Sequence, residues 1–362
     1  MSMHILHTES SNGWGGQEIR ILKECLGLRK EGFQITLAVV QGGKLVEYAR
    51  KEGFEVFEID FKRSQALKAL WQLCTIIKKG RIDVVNTHSS FDAWLGGIAA
   101  RIMGRSVVRT RHLSTPIRGG LNARLLYNGL ADYVVTTSSC IIPEIEQKAH
   151  LPLSRIQCIP TGVEPFEVPQ EEAREFRSSI HVKPDEILIG SVCVVRSWKG
   201  IQDLIAAAKS LRHDPRLKWV VVGGGYIEQY RPLVDPDLPF IFTGHLDNPR
   251  AALAAIDMFA LLSTAHEGIS QASLQAAFLK KPLITTSIGG LPEVCLDGKT
   301  GLVVPPSSPD KVAQAVLRLA GDSTLREQMG QAAHLLVIES YTLSHTLRNM
   351  ARVFKGLSSI RP

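Results

Sequence analysis

Short apolar runs alternate with helical segments along the whole of this 362-residue chain, and they do so in two series. In the first series "HILHT", "FQITLAVV", "IDVVNTH", "SVVRTRH" and "DYVVTTS" read as strands. Between them, "GGQEIRILKECLGLRKEG" sets Ile19, Leu22, Leu26 and Leu28 at roughly helical spacing and stops at Gly32. "SQALKALWQLCTIIKKG" aligns Ala66, Ala69, Leu70, Leu73 and Ile77 on one stripe, and "FDAWLGGIAARIMG" and "LNARLLYNGLA" continue the pattern as helices. Repetition of strand, helix and strand makes a parallel, doubly wound sheet.

The pattern then restarts. "EILIGSVCVV", "KWVVVGG", "FIFTGH", "DMFALLST", "PLITTS" and "GLVVPP" are strands, separated by helical runs such as "IQDLIAAAKSLR" and "SLQAAFLKK". A chain of this length exceeds one ordinary core, so two domains are expected. The prolines and charges of "TGVEPFEVPQEEAREFRSS" place the linker at about 164–185. Two parallel-sheet domains facing each other would leave a central cleft at the carboxyl ends of their strands, where such sheets take ligands.

Charge divides unevenly. Residues 1–165 hold 21 Lys and Arg against 15 Asp and Glu, a balance of +6, while the remainder is near neutral at +1. A basic first half favours acidic partners such as nucleic acid, anionic headgroups or phosphorylated glycans, although a solvated basic face explains the count equally well. Aromatic residues do not interleave with the basic ones and no recognition helix is evident, which argues against nucleic acid. No apolar run approaches the roughly 20 residues of a membrane span, and "MSMHILHTES" lacks the form of a signal peptide. Six scattered cysteines without a C-x-x-C pair read as reduced packing residues of a cytoplasmic protein.

Three loops after strands carry the chemistry. In "NGWGGQE", Gly13, Gly15 and Gly16 allow close backbone approach to a phosphate or sugar at a helix start, but Glu18 breaks the dinucleotide pattern, and a structural turn is the plainer alternative. In "SVCVVRSWKG", Arg196 and Lys199 supply a forked and a point donor suited to a diphosphate, where solvent-facing cations are the ordinary reading. In "HEGISQASLQ", Ser270 or a neighbour caps a helix, Glu267 stands beside its N–H groups, and Gln275 lies two turns deeper. A capped helix with a surface glutamate would look the same. His88 and His112 close two adjacent strands, with Asp92 one turn beyond His88 and Arg109 and Arg111 beside His112. A structural hydrogen-bonding role competes with a catalytic one for both histidines. No cluster has metal-ligand spacing.

The run "HEGISQASLQAAFLKKPLITTSIGGLPEVCLDGKTGLVVPP" resembles the donor-site block of the retaining glycosyltransferases of family 4, group 1. "NGWGGQE", "IPTGVE", "VVRSWKG", "VVVGGG" and "FTGH" agree with further landmarks of that family in the same order, so the likeness covers nearly the whole chain. It implies an α/β chain of the GT-B fold, two Rossmann-like domains about a central cleft. Residues 1–165 would bind the acceptor and 166–341 the donor, with a C-terminal helix at about 342–362 crossing back. It implies that Glu267, Gly268 and Ile269 hold the transferred sugar and that Arg196 and Lys199 hold the leaving diphosphate. Gly15, Gly16, Gly244 and Gln275 would complete the donor site. His112 and His88 would stand at the reacting centre, and Asp92, Arg109 and Arg111 would meet the acceptor.

Gln275 departs from the family's second carboxylate, keeping an acceptor for ribose without the charge. "IPTGVE" departs too, with Thr161 and Glu164 where Asn and Asp are commoner. The expectation is a hexosyl-type transfer from a nucleoside-diphosphate sugar, UDP first among bases, with no cofactor or metal, onto a lipopolysaccharide, exopolysaccharide or lipid-linked acceptor. Arg111, Arg118 and Arg124 with Leu121, Leu125 and Leu126 suit peripheral contact with an anionic inner membrane, as does a plain amphipathic core helix. A sugar-nucleotide epimerase of similar build and a non-catalytic sugar-nucleotide binder are the rival readings.

Overall fold

The computed structural model describes residues 2–358. They form two compact units: Met1–Thr161 with the segment from Ser344 onward, and Gly162–Leu343. The segment 164–185, read above as the linker, lies within the second unit. It contains the helix Gln170–Ser179, whose Arg177 donates to the Ala255 carbonyl at 2.9 Å and pairs with Asp257 at 3.0 Å. The chain crosses between units at 161/162 and 343/344, and there the two crossings pair, Val163 N–H to Tyr341 O and Leu343 N–H to Val163 O, both 2.8 Å.

The first unit is a seven-stranded parallel sheet: β1 (His4–Glu9), β2 (Gln34–Val40), β3 (Glu55–Ile59), β4 (Val84–Thr87), β5 (Ser106–Arg111), β6 (Tyr133–Thr136) and β7 (Ile156–Cys158). Its spatial order is β3-β2-β1-β4-β5-β6-β7. Helices cover both faces, so the strands are buried on either side. One face packs Leu6, Val85, Val107 and Val134 under Leu73, Ile77 and Ala99. The other packs Ile5, Leu37, Val84 and Val108 under Ile21, Cys25 and the C-terminal helix Leu343–Ser358, through Met350, Val353 and Phe354. β3 and β7 are absent from the expected strands because one is a half-exposed edge strand carrying Glu55 and Glu58 and the other is three residues long.

The second unit is a six-stranded parallel sheet: β8 (Ile187–Val192), β9 (Leu217–Val222), β10 (Phe240–Gly244), β11 (Met258–Leu261), β12 (Leu283–Thr286) and β13 (Gly301–Val304), in the order β10-β9-β8-β11-β12-β13. Trp219 and Phe259 are its largest fully buried side chains. In each unit the winding reverses beside the first strand, between β1 and β4 and between β8 and β11. The carboxyl ends of those strands are where a doubly wound sheet offers a ligand site.

Two expectations need correcting. "LNARLLYNGLA" forms a short α turn, Leu121–Ala123, that widens into a π-helix over Arg124–Leu130. Among the described residues no cysteine is in a disulfide, and Cys140 is exposed rather than buried.

Candidate active site

At the first reversal, the ends of β1, β4 and β5 hold three histidines in a row. His7 Nδ1 meets His88 Nε2 at 3.0 Å, and His88 Nδ1 meets His112 Nε2 at 2.9 Å. His7 and His88 are buried and His112 is half-buried. Burial holds His7 down to about 3. It also holds His88 and His112 well below the usual histidine range, helped for His88 by His112 and His7, and for both by the charges of Arg20 and Arg109. All three rings are therefore neutral near pH 7. Each neutral ring carries one N–H, so the direction of the two bonds fixes whether the outer nitrogen of His112 donates or accepts.

Asp92 ties together the strand ends that carry this row. Its carboxylate is fully buried and receives four donors: Thr8 Oγ1 at 2.9 Å, Ser10 Oγ at 3.0 Å, and the N–H groups of His88 and Ser89 at 2.9 Å each. It thereby caps the helix Ser90–Ile102 and joins the ends of β1 and β4. Arg109 is likewise buried, donating to the carbonyls of Thr87 and Thr110, and its charge opposes the burial that raises the Asp92 acid. Arg111 is bound to Thr115 and to the Tyr127 hydroxyl. All three residues hold the strand ends and the loop after β5 together.

Two residues escaped the sequence reading. His7 lies inside what reads as an apolar strand, and Glu9 closes that strand. Glu9 accepts from the Ser11 N–H at 2.6 Å, from Gln17 and from Ser89. Burial and the neighbouring Asp92 raise its acid to about 7. The polar HxE at the end of "HILHTE" was the available signal, since a buried strand has no local use for either side chain.

The glycine loop follows directly. Glu18, which breaks the dinucleotide pattern, braces this loop, taking the Gly15 N–H at 2.8 Å and the Ser11 hydroxyl at 2.7 Å. Gly16 begins the helix Gly16–Lys30, and a methyl group added there would meet nothing within 4 Å. Trp14 anchors the loop by stacking on Tyr48 at 4.0 Å.

In the second unit the loops after β8 and β11 meet at the reversal. Lys199 and Glu267, expected as separate contacts, form one ion pair that is largely buried, and Ser263 Oγ donates to the same carboxylate oxygen at 2.7 Å. The loops are tied by the Thr264 N–H to the Trp198 carbonyl at 2.8 Å. Gly200 permits this approach: its φ is +68°, and a Cβ there would lie 2.0 Å from the Leu262 carbonyl oxygen. Arg196 is exposed and lies over the Trp198 ring at 5.6 Å. Gly268 and Ile269 are buried behind Glu267. Ser270 caps the helix Gln271–Phe278, accepting from the Ser273 N–H at 3.3 Å, and Gln275 is half-buried on it. Gly244 stands apart at the end of β10, two strands from β8, with φ +79° and open space at its Cβ.

The chain matches the family described as Glycosyltransferase Family 4 over residues 14–165 and the family described as Glycosyl transferases group 1 over residues 184–322. It is 25% identical to an uncharacterized glycosyltransferase of Methanocaldococcus jannaschii over 94% of both chains. It is 24% identical to the capsular polysaccharide biosynthesis glycosyltransferase CapM of Staphylococcus aureus over 84% of both chains. Among solved structures, Anabaena HepE in complex with UDP-glucose superposes with a TM-score of 0.86 at 18% identity, over 98% of this chain and 100% of that one. The two parallel sheets, their matching reversals and these two family matches, which between them take in most of the sequence, show that the chain belongs to the group 1, family 4 glycosyltransferases of the GT-B fold.

Proposed function

We propose that this glycosyltransferase moves a hexosyl group from a nucleoside-diphosphate sugar, UDP the first base to test, to a cell-surface glycan or lipid-linked acceptor, with retention of anomeric configuration. The Lys199–Glu267 pair at the second reversal carries the reading. A diphosphate offers Lys199 a stronger anion than a single carboxylate, and Arg196 is exposed and free of ion pairs among the described residues. Glu267, still held by Ser263, then turns its carboxylate to the hydroxyls of the sugar. Gln275 offers an amide to the ribose.

Breaking the glycosidic bond leaves an oxocarbenium-like sugar and a departing phosphate. Fixed cations stabilise the growing negative charge, the kind of preorganised electrostatics that dominates such steps. The departing phosphate takes the proton of the acceptor hydroxyl, which retains configuration without a protein nucleophile. Neutral His112 serves the reacting sugar through a hydrogen bond rather than a charge. The name of the CapM relative and the sugar nucleotide bound by HepE support the donor class and the surface-glycan role. The exposed Leu121, Leu125 and Arg124 support peripheral attachment at an anionic membrane.

A thermal-shift panel of UDP-, GDP- and ADP-sugars tests the donor. A cognate donor at 100 times its Kd stabilises the folded chain by about 2.7 kcal/mol. One nucleotide series should raise the melting temperature in the parent and lose that effect in Arg196→Ala. If no donor raises it and none is consumed with a pool of lipid-linked acceptors, the proposal fails.

A further inference from the structure

The helix Ala66–Lys79 turns an apolar stripe outward. Leu67 is 84% exposed and Trp71, one turn on, is 69% exposed. Phe57 on the edge strand β3 lies across a groove of about 350 Å³ that Trp71 also lines. Around this stripe, residues 61–81 carry six cationic side chains and no acidic one: Lys62, Arg63, Lys68, Lys78, Lys79 and Arg81, all exposed. Only Lys62 has a carboxylate within ion-pair distance among the described residues, Asp60 at 3.9 Å. The two glutamates on the far rim of the groove are engaged: Glu58 pairs with Arg50 at 2.9 Å, and Glu55 accepts from Thr36 at 3.0 Å.

Leu67 and Trp71 are exposed side by side, and among the described residues every cation here except Lys62 lacks a carboxylate within ion-pair distance. We propose that the helix Ala66–Lys79 is a membrane-docking element, with Leu67 and Trp71 entering the headgroup region of an anionic bilayer and the surrounding cations meeting its phosphates. Tryptophan and leucine beside lysine and arginine are the composition of helices that lie in a lipid interface. The charge pattern excludes the plainer alternatives. A two-fold contact between copies would bring six cations against six. Leu67 gains nothing from a nucleic-acid backbone.

The proposal rests on the peripheral-membrane reading above and moves its anchor from the segment after β5 to the helix after β3. The full chain is sedimented with vesicles of phosphatidylcholine, alone or with phosphatidylglycerol, at low and high salt. Binding should need the anionic lipid and weaken with salt. Leu67→Ser with Trp71→Ser should reduce partitioning at least tenfold with an unchanged melting temperature, since both side chains are exposed. Each of Lys68→Gln, Lys78→Gln and Lys79→Gln should weaken it about fivefold, the equivalent of about 1 kcal/mol per cation near such a surface.

Binding that survives the Leu67/Trp71 change but is lost in Leu121→Ser with Leu125→Ser overturns the assignment to this helix and leaves the membrane reading standing. Absence of binding to anionic vesicles at low salt overturns both. A dimer in light scattering that the Leu67/Trp71 change dissolves would assign the stripe to a second copy instead.

Discussion

Asp92 shows how far a single side chain's role depends on its partners. From the sequence it stands one turn past a histidine and reads as a ligand-facing carboxylate, whereas four donors saturate it in the fold. Asp92→Ala removes a cap and strands those donors, so urea unfolding should show a loss of roughly 2–4 kcal/mol. The histidine row has a pH signature. Folded His7 stays neutral down to about 3, while an unfolded histidine takes up its proton near 6.5. Between those values the unfolded chain binds more protons, so His7 costs stability as pH falls, at most about 1.4 kcal/mol per pH unit. Glu9 acts in the opposite sense, its folded acid lying near 7 and its ordinary value at 4.5, so its contribution declines as pH rises through that window. Measured between pH 7 and pH 5, the stability of His7→Phe should therefore fall less than that of the parent. Equal falls would show that His7 titrates freely. At the donor end, Arg196→Ala or Lys199→Ala should slow sugar transfer roughly 100- to 1000-fold in single-turnover assays.

Elements place these side chains, and the loops between them are built to different tolerances. The loop after β8 touches the end of β11 so closely that only glycine fits at 200. Gly200→Ala should force the two loops apart, separate Lys199 from Glu267, and lower both the melting temperature and donor binding. The glycine loop after β1 is tight for another reason. Gly16 has open space beside it, so Gly16→Leu should fold with an unchanged melting temperature. If that loop approaches the substrate, the same variant should raise KM or abolish turnover; normal kinetics would remove Gly16 from the site. The helical runs were legible because their apolar stripes repeat at 3.6 residues, as in Ala69, Leu73 and Ile77. The π-helix at Arg124–Leu130 was not, because its wider turn leaves the same apolar and polar order as an α-helix.

At the scale of the whole chain, the last helix completes the core of the first unit. Met350, Val353 and Phe354 are buried there with Ile5, Ile21 and Leu37. Phe354→Ala should cost about 3–5 kcal/mol in equilibrium unfolding, as expected for a large cavity in a close-packed core. An unchanged unfolding midpoint would mean that this helix only rests on the unit. The alternation of strands and helices, the placement of Arg196, Lys199 and Glu267 after strand ends, and the family likeness were all readable in order along the chain, because each depends on residues within about a dozen positions of one another. What the linear order does not contain is which strands become neighbours. β1 pairs with β4 across 75 residues or more, and only that pairing brings His7 to His88 and Asp92 to Thr8. The same is true of β8 and β11, whose adjacency turns a separate lysine and glutamate into one buried pair. Local periodicity sets the elements; the burial of apolar faces sets their order, and the chemistry of the site is decided by that order.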